Sequence, residues 1–234
     1  MSAPHLPAEL LDHIVDHLHN VKYTLRVCGL VSKSWVPRAR MHLFAEVWFN
    51  TKGDLESWKK TFQDPSTSPA HYTKILQINC AHIVTAADTG PSGWITTFSH
   101  VVHLKLGRYG KPIVPLLPFR YLILSFPLLE DLAVIGSHNV ATDDNDGSTT
   151  QPLNPPMFTG TLKLVMMGIK LITRQLLSLP IHFRKIVLTW NLEEDLLSTA
   201  ALVERCSHTL ESLDIALGID CDPFGLSILH LHPY

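Results

Sequence analysis

One pattern limits what this chain can fold into. An apolar residue, two residues of any kind, then apolar–any–apolar recurs along most of its length. It appears as Phe44/Val47/Phe49, Val101/Leu104/Leu106, Leu129/Leu132/Val134, Phe183/Ile186/Leu188 and Leu210/Leu213/Ile215. Two weaker copies, Leu76/Ile78 and Leu162/Leu164, carry Thr73 and Thr159 at the first position. The middle residues fall at 47, 76, 104, 132, 162, 186 and 213, in steps of 24 to 30 residues. Apolar–any–apolar is the alternation of a strand with one buried face. A fixed period of such strands predicts one structural unit repeated, none able to bury its apolar face alone and all stacked into a continuous core.

A period near 28 with this core resembles a leucine-rich repeat. The resemblance implies one short strand per turn, a parallel sheet with a concave open face, and a helix or irregular return on the other side. The family's asparagine after the strand is matched at best by Asn79. Leu55–Phe62 with Trp58, a segment holding Trp94, Ile95, Phe98 and Val101, Leu116–Phe126, and Ile172–Leu179 stopped by Pro180 are candidate return helices. The strongest is Leu192–Cys206, behind an acidic first turn of Glu193, Glu194 and Asp195. Residues 64–69 read as a polar connector, and the acidic, turn-rich stretch 137–156 as a disordered loop. A calcium loop fails there: with Gly147 as sixth residue, Thr142 falls at position one and Leu153 at position twelve. A last strand-like copy, Leu226/Leu229/Leu231, follows the previous one by only 16 residues. It either folds back as a cap or belongs to a shortened version of a longer repeat array.

Ahead of the repeats, Leu10, Leu11, Ile14, Val15 and Leu18 make the apolar stripe of a helix, with Pro7 and Glu9 at its start and Asn20 as its stop. A second helix places Leu25, Cys28 and Val31 on one side. A third, capped by Ser34 with Pro37 in its first turn, carries Trp35, Ala39, Leu43 and Phe44. Such a unit is too small to be comfortably stable alone and is expected to dock on something. Its residues resemble an F-box, most closely the variants common in mushroom-type fungi. The motif positions are Leu6, Pro7, Glu9, Leu10, Ile14, Leu18, Leu25, Val31, Ser32, Lys33, Trp35, Leu43 and Phe44, with Ala8 where a second proline is usual. The resemblance implies docking on the Skp-family linker of a cullin-type (SCF) ubiquitin ligase. It places Leu6, Pro7, Glu9, Leu10, Ile14, Leu25, Val31 and Trp35 in the contact set. By burial tendency alone, Ile14, Leu18, Val31 and Trp35 read first as the module's own core, and Leu6, Pro7 and Leu10 as its exposed contacts.

With 19 basic and 21 acidic residues, the chain carries no field that would draw it to nucleic acid or an anionic membrane. No apolar run is long enough to span a bilayer, and the N-terminus has no basic region followed by an apolar core, so no secretion is expected. Cys28, Cys80, Cys206 and Cys221 lack paired spacing and read as reduced thiols of the cytosol or nucleus. His13 and His17, with Asp16 between them, sit four apart on the polar side of the first helix and read as a solvated face rather than metal ligands. His230 and His232 have no partner set. No nucleophile elbow, phosphate loop or Cys-His signature is present, so no enzyme, cofactor or metal is expected.

The chain is therefore expected to be an α/β repeat protein. An F-box-like helical domain (4–46) leads into a degenerate leucine-rich-repeat domain (47–234) that binds a target protein through strand residues such as His103, Lys105, Glu130, Asp131, Lys163, Glu211 and Asp214. The alternatives are a scaffold unrelated to ubiquitin and an α/β enzyme with one deep polar pocket.

Overall fold

The computed structural model describes residues 7–79, 88, 93–107, 119–137, 158–167, 170–190, 196–217 and 228–231. Three helices come first: α1 (Ala8–His17), α2 (Lys22–Val31) and α3 (Val36–Leu43). Strands and returns then alternate: β1 (Glu46–Phe49), α4 (Lys52–Thr61), β2 (Ile75–Ile78), β3 (His103–Leu106), α5 (Phe119–Leu124), β4 (Asp131–Ser137), β5 (Thr161–Met167), α6 (Lys170–Leu177), β6 (Lys185–Trp190), α7 (Leu196–Cys206), β7 (Ser212–Leu217) and β8 (Ile228–Leu231). The class is mixed α/β. One eight-stranded sheet runs in chain order, β1 to β7 parallel and β8 antiparallel. Among the described residues no helix is long and apolar enough to cross a membrane.

The register explains the sequence period. Val47 lies opposite Leu76, and the row continues through Leu104, Leu132, Leu162, Ile186 and Leu213. All seven middle residues of the motif thus occupy a single line across the sheet. A second line, two residues on, holds Phe49, Ile78, Leu106, Val134, Leu164, Leu188 and Ile215. From Val47 and Phe49 through Ile186 and Leu188 the side chains of both lines are buried, and at β7 Leu213 and Ile215 pack partly buried against the same core. The residues between the two lines face the other way, so across the motif each strand alternates instead of reading as the continuous apolar run of a doubly covered parallel sheet, although Ile135 beyond the motif in β4 is buried as well. Unequal repeat lengths leave this register intact because the returns absorb the difference.

Threonine at the first motif position has a local reason at one copy. Thr73 is fully buried, and its hydroxyl donates to the Phe44 carbonyl at 2.9 Å, which satisfies the polar group and ties β2's approach to β1's. Thr159 is exposed.

The returns differ from expectation in detail. α4 matches the expected helix and starts with a capping box, Thr51 Oγ1 accepting from the Asp54 N–H while Asp54 accepts from the Thr51 N–H. The Trp94 segment forms only a 3-10 turn (Trp94–Thr97), although Ile95, Phe98 and Val101 are buried as its spacing required. The connector 64–69 contains one 3-10 turn (Pro65–Thr67), capped by Asp64, and leads into a second (Pro69–Tyr72), capped by Ser68. The helices expected at Leu116–Phe126 and Leu192–Cys206 are described from Phe119 and Leu196 onward; Glu193, Glu194 and Asp195, and all but the first residue of the loop 137–156, lie outside the described residues. The last strand-like copy does not extend the parallel order. Within Leu226/Leu229/Leu231, β8 runs back along β7, pairing Leu229 with Ile215 and Leu231 with Leu213.

Candidate functional site

The N-terminal helices enclose a core of their own, separate from that under the sheet. Among the described residues Val15, Leu25 and Ala39 form its buried cluster, with Leu18, Trp35 and Leu43 packed partly buried around them. Pro7 precedes α1 without a capping hydrogen bond. Between α2 and α3 lies a 3-10 turn, Lys33–Trp35, capped by Ser32, whose hydroxyl accepts from the Ser34 N–H at 3.3 Å. The expected cap at Ser34 is thereby corrected: α3 begins at Val36, after Trp35, with no side-chain cap. Ser32 is in extended conformation and so can turn its hydroxyl back on the following backbone, as a cap requires.

A polar clamp supplements this small core. Arg38 of α3 donates through Nε and Nη2 to the two oxygens of Asp16 on α1, and His42 Nε2 lies 2.7 Å from Asp16 Oδ1. Hydrogen bonds from Arg38 first and His42 second hold the Asp16 carboxyl well below the usual carboxylate range. A carboxyl that ionises more readily in the fold than in the unfolded chain stabilises the fold above its ordinary value of 3.8, and that contribution fades as the pH falls below it. Asp16→Asn is therefore expected to lower the melting temperature at pH 7, with the gap from wild type shrinking by pH 3. Thermal melts of both proteins at the two pH values would measure this; an unchanged gap at pH 3 would contradict it.

Apolar surface is left outside the module. Leu10 is 49% exposed and Ile14 44% on α1, and on α2 Tyr23, Val27, Leu30 and Val31 are exposed at 76, 40, 87 and 68%. The last four fall at i, i+4, i+7 and i+8, one stripe along the helix, while Leu25 and Cys28 are buried on its other side. Several expectations are corrected by this. Ile14 and Val31 do not belong to the core, because Val31, six residues beyond Leu25, is rotated about 120° from it on a helix of 3.6 residues per turn. Leu25 is fully buried, and Trp35 is partly buried against the core. Pro7 and Glu9 are exposed at the start of α1, and Leu6 lies outside the described residues. Sequence reasoning missed Tyr23, Val27 and Leu30. The available signal was that α2 is apolar on two faces, more than a three-side-chain core can cover.

The second candidate surface is the open face of the sheet. His103 Nδ1 lies 2.6 Å from Asp131 Oδ2, and Lys185 Nζ 2.8 Å from Asp214 Oδ2. Lys105 and Lys163 share a row with Ala133 between them. Glu130 precedes β4, and Glu211, before β7, faces Arg184 at 3.8 Å with both side chains exposed.

Chemical groups elsewhere are occupied or isolated. An open cavity of about 420 Å³ lies against β1 and α4, bordered by Phe44, Trp48, Trp58 and Phe62 with Glu46 and Asp54. Glu46 accepts from Trp48 Nε1 at 2.8 Å, and Asp54 is committed to the helix cap. His13 and His17 are exposed, and among the described residues no three His, Cys, Asp or Glu side chains converge to hold a metal ion. Cys28 and Cys206 are buried free thiols, and burial pushes the Cys206 thiol up. Cys80, Cys221 and His232 lie outside the described residues.

No family model matches the chain, and neither the curated proteins nor the solved structures contain a match to it.

Proposed function

We propose that the chain is a two-part adaptor. Its F-box-like helical module, residues 4–46, docks on the Skp-family linker of a cullin-type ubiquitin ligase. Its remaining part, a short irregular leucine-rich-repeat solenoid, holds a target protein. The observation that carries the reading is the exposed stripe Tyr23, Val27, Leu30 and Val31 on a unit whose buried cluster, among the described residues, is Val15, Leu25 and Ala39. So much apolar surface on so small a core marks an interaction site, and docking would add the burial that the module lacks. The seven parallel strands in chain order, with the motif in register, support the solenoid half. The mechanism is proximity: one end holds the ligase, the other raises the effective concentration of the target beside it.

A pull-down of purified Skp-type linker by the full chain tests this, with the double variant Leu30→Asp/Val31→Asp beside wild type. Both side chains are largely exposed, so the variant is expected to fold. Retention by wild type and a loss of at least roughly tenfold in the variant are expected, the size of a modest interface hot spot. A folded wild type that does not hold the linker would overturn the adaptor reading and leave a scaffold unrelated to ubiquitin.

A further inference from the structure

We propose that the open face of β1–β5 binds an acidic, extended segment of a target protein. In this arrangement two carboxylates of the segment pair with Lys105 and Lys163, and an apolar side chain lies against Trp48 and Ile75. The inference rests on the reading of the sheet as the target-binding half, and it gives that target a chemistry.

Charge accounting on the face selects the occupant. One row across the sheet is Trp48, Gln77, Lys105, Ala133, Lys163, Val187 and Asp214. The neighbouring row begins Glu46, Ile75, His103 and Asp131. Of the carboxylates in these rows, those of Asp131 and Asp214 are ion-paired and that of Glu46 only accepts a hydrogen bond. Glu46 accepts from Trp48 Nε1, Asp131 meets His103 and accepts from the Thr161 N–H at 2.9 Å, and Asp214 meets Lys185. Lys105 and Lys163, by contrast, have no ion-pair partner among the described residues. The short Ala133 side chain between them leaves room for a chain to cross. Trp48 at one end of the row is 53% exposed and Ile75 in the neighbouring row 38%, with Gln77 between Trp48 and Lys105.

Spacing separates the acidic peptide from other anions. Two strand intervals put the lysine stems roughly 10 Å apart. An extended chain advances about 3.3–3.6 Å per residue and alternates its side chains, so carboxylates two or four residues apart share one side and reach both ammonium groups. A single phosphate is held instead by donors that converge on it, commonly arginine forks, and none of the row residues is arginine. Nucleic acid calls for a broader basic surface than two lysines on a chain of net charge −2.

The test is fluorescence anisotropy with the full chain and a short labelled peptide carrying a leucine followed by two glutamates two residues apart, on the same side of an extended chain. Its glutamine counterpart serves as comparison. Wild type is expected to prefer the glutamate peptide, and Lys105→Glu/Lys163→Glu to bind it roughly tenfold more weakly, the scale of two surface ion pairs reversed in sign. Lys52→Glu on α4, an exposed lysine of a return helix, should leave binding unchanged. Equal affinity of wild type for the two peptides, an unaffected double variant, or preference for a single-stranded RNA oligonucleotide would each overturn the proposal. Linker pull-down on the same preparations separates this inference from the adaptor reading. Peptide binding without linker retention would sink the adaptor and support the acidic-segment site, and linker retention without peptide preference would do the reverse.

Discussion

Phe49→Ala is expected to lower the stability of the protein by about 3–5 kcal/mol, the range for truncating a buried aromatic side chain. Phe49 closes β1 with 2% of its surface exposed. Its ring meets Trp58, Trp94 and Phe98 at centroid distances of 5.6, 5.4 and 6.1 Å, each nearly edge to face. Those partners also pack on one another, Trp58 against Phe98 at 5.4 Å and Trp94 against Phe98 at 5.7 Å. They are further pinned from outside: Trp94 Nε1 donates to Asp88 at 2.7 Å, and Lys59 Nζ meets the same carboxylate at 2.8 Å. Rings held on several sides cannot collapse into the space a deleted neighbour leaves, so the cavity cost adds to the lost transfer energy. Against a typical total of roughly 5–15 kcal/mol, this is a large share. Urea unfolding should show a much lower midpoint at similar slope. Trp48→Ala, one residue away but 53% exposed, should cost about 0.5 kcal/mol or less. Equal effects at the two positions would contradict the assignment of their faces.

Gly160→Val is expected to destabilise by roughly 3 kcal/mol or prevent folding, the upper range for overpacking against an unyielding neighbour. A Cβ at residue 160 would be driven into the backbone carbonyl of Glu130, well inside contact distance. Neither side can give way cheaply. The Glu130 carbonyl accepts from the Thr161 N–H at 3.1 Å, where β5 begins to pair with β4, and the Gly160 carbonyl accepts from the Arg184 N–H at 2.9 Å on the approach to β6. Relief requires moving a strand that is hydrogen-bonded on both sides, which strains three strands at once. Gly160→Ala should show the same sign with smaller size, since even one carbon meets main chain. By contrast, Gly53→Ala on α4, where a Cβ would meet only the Thr51 hydroxyl at 3.6 Å, should be neutral or stabilising by up to about 1 kcal/mol. Thermal melts of the three variants would rank them; a stable Gly160→Val protein would show that β4 and β5 do not approach this closely.

The two halves of the chain were legible in the sequence to different degrees. The sheet was read well because its signal is repeated. Seven copies of one motif specify strand, buried face and register together, and an error at one copy, such as Thr73, is corrected by its neighbours. The helical module offered no such redundancy. Its apolar residues outnumber the places in its core, and helical periodicity says which residues share a face, not which face is covered. Val15 and Leu25 are buried while Leu10, Ile14 and Val31 are exposed, a choice made by how three helices pack. The return segments lie between these cases: their apolar spacing forecast burial at Ile95 and Phe98, yet not that the backbone there would form a 3-10 turn.

By itself, then, the sequence determined the strands, their inward residues and their order, because alternation is a local rule and the period carries it from unit to unit. Only the tertiary structure decided what depends on residues distant in the chain. It brought Asp16 to Arg38 and His42, set Gly160 against Glu130, turned β8 antiparallel to β7, and left Lys105 and Lys163 without an ion-pair partner among the described residues, where Asp131 and Asp214 found theirs. The physical reason is that such contacts are set by how elements pack and pair in space, and neither composition nor period records that distance.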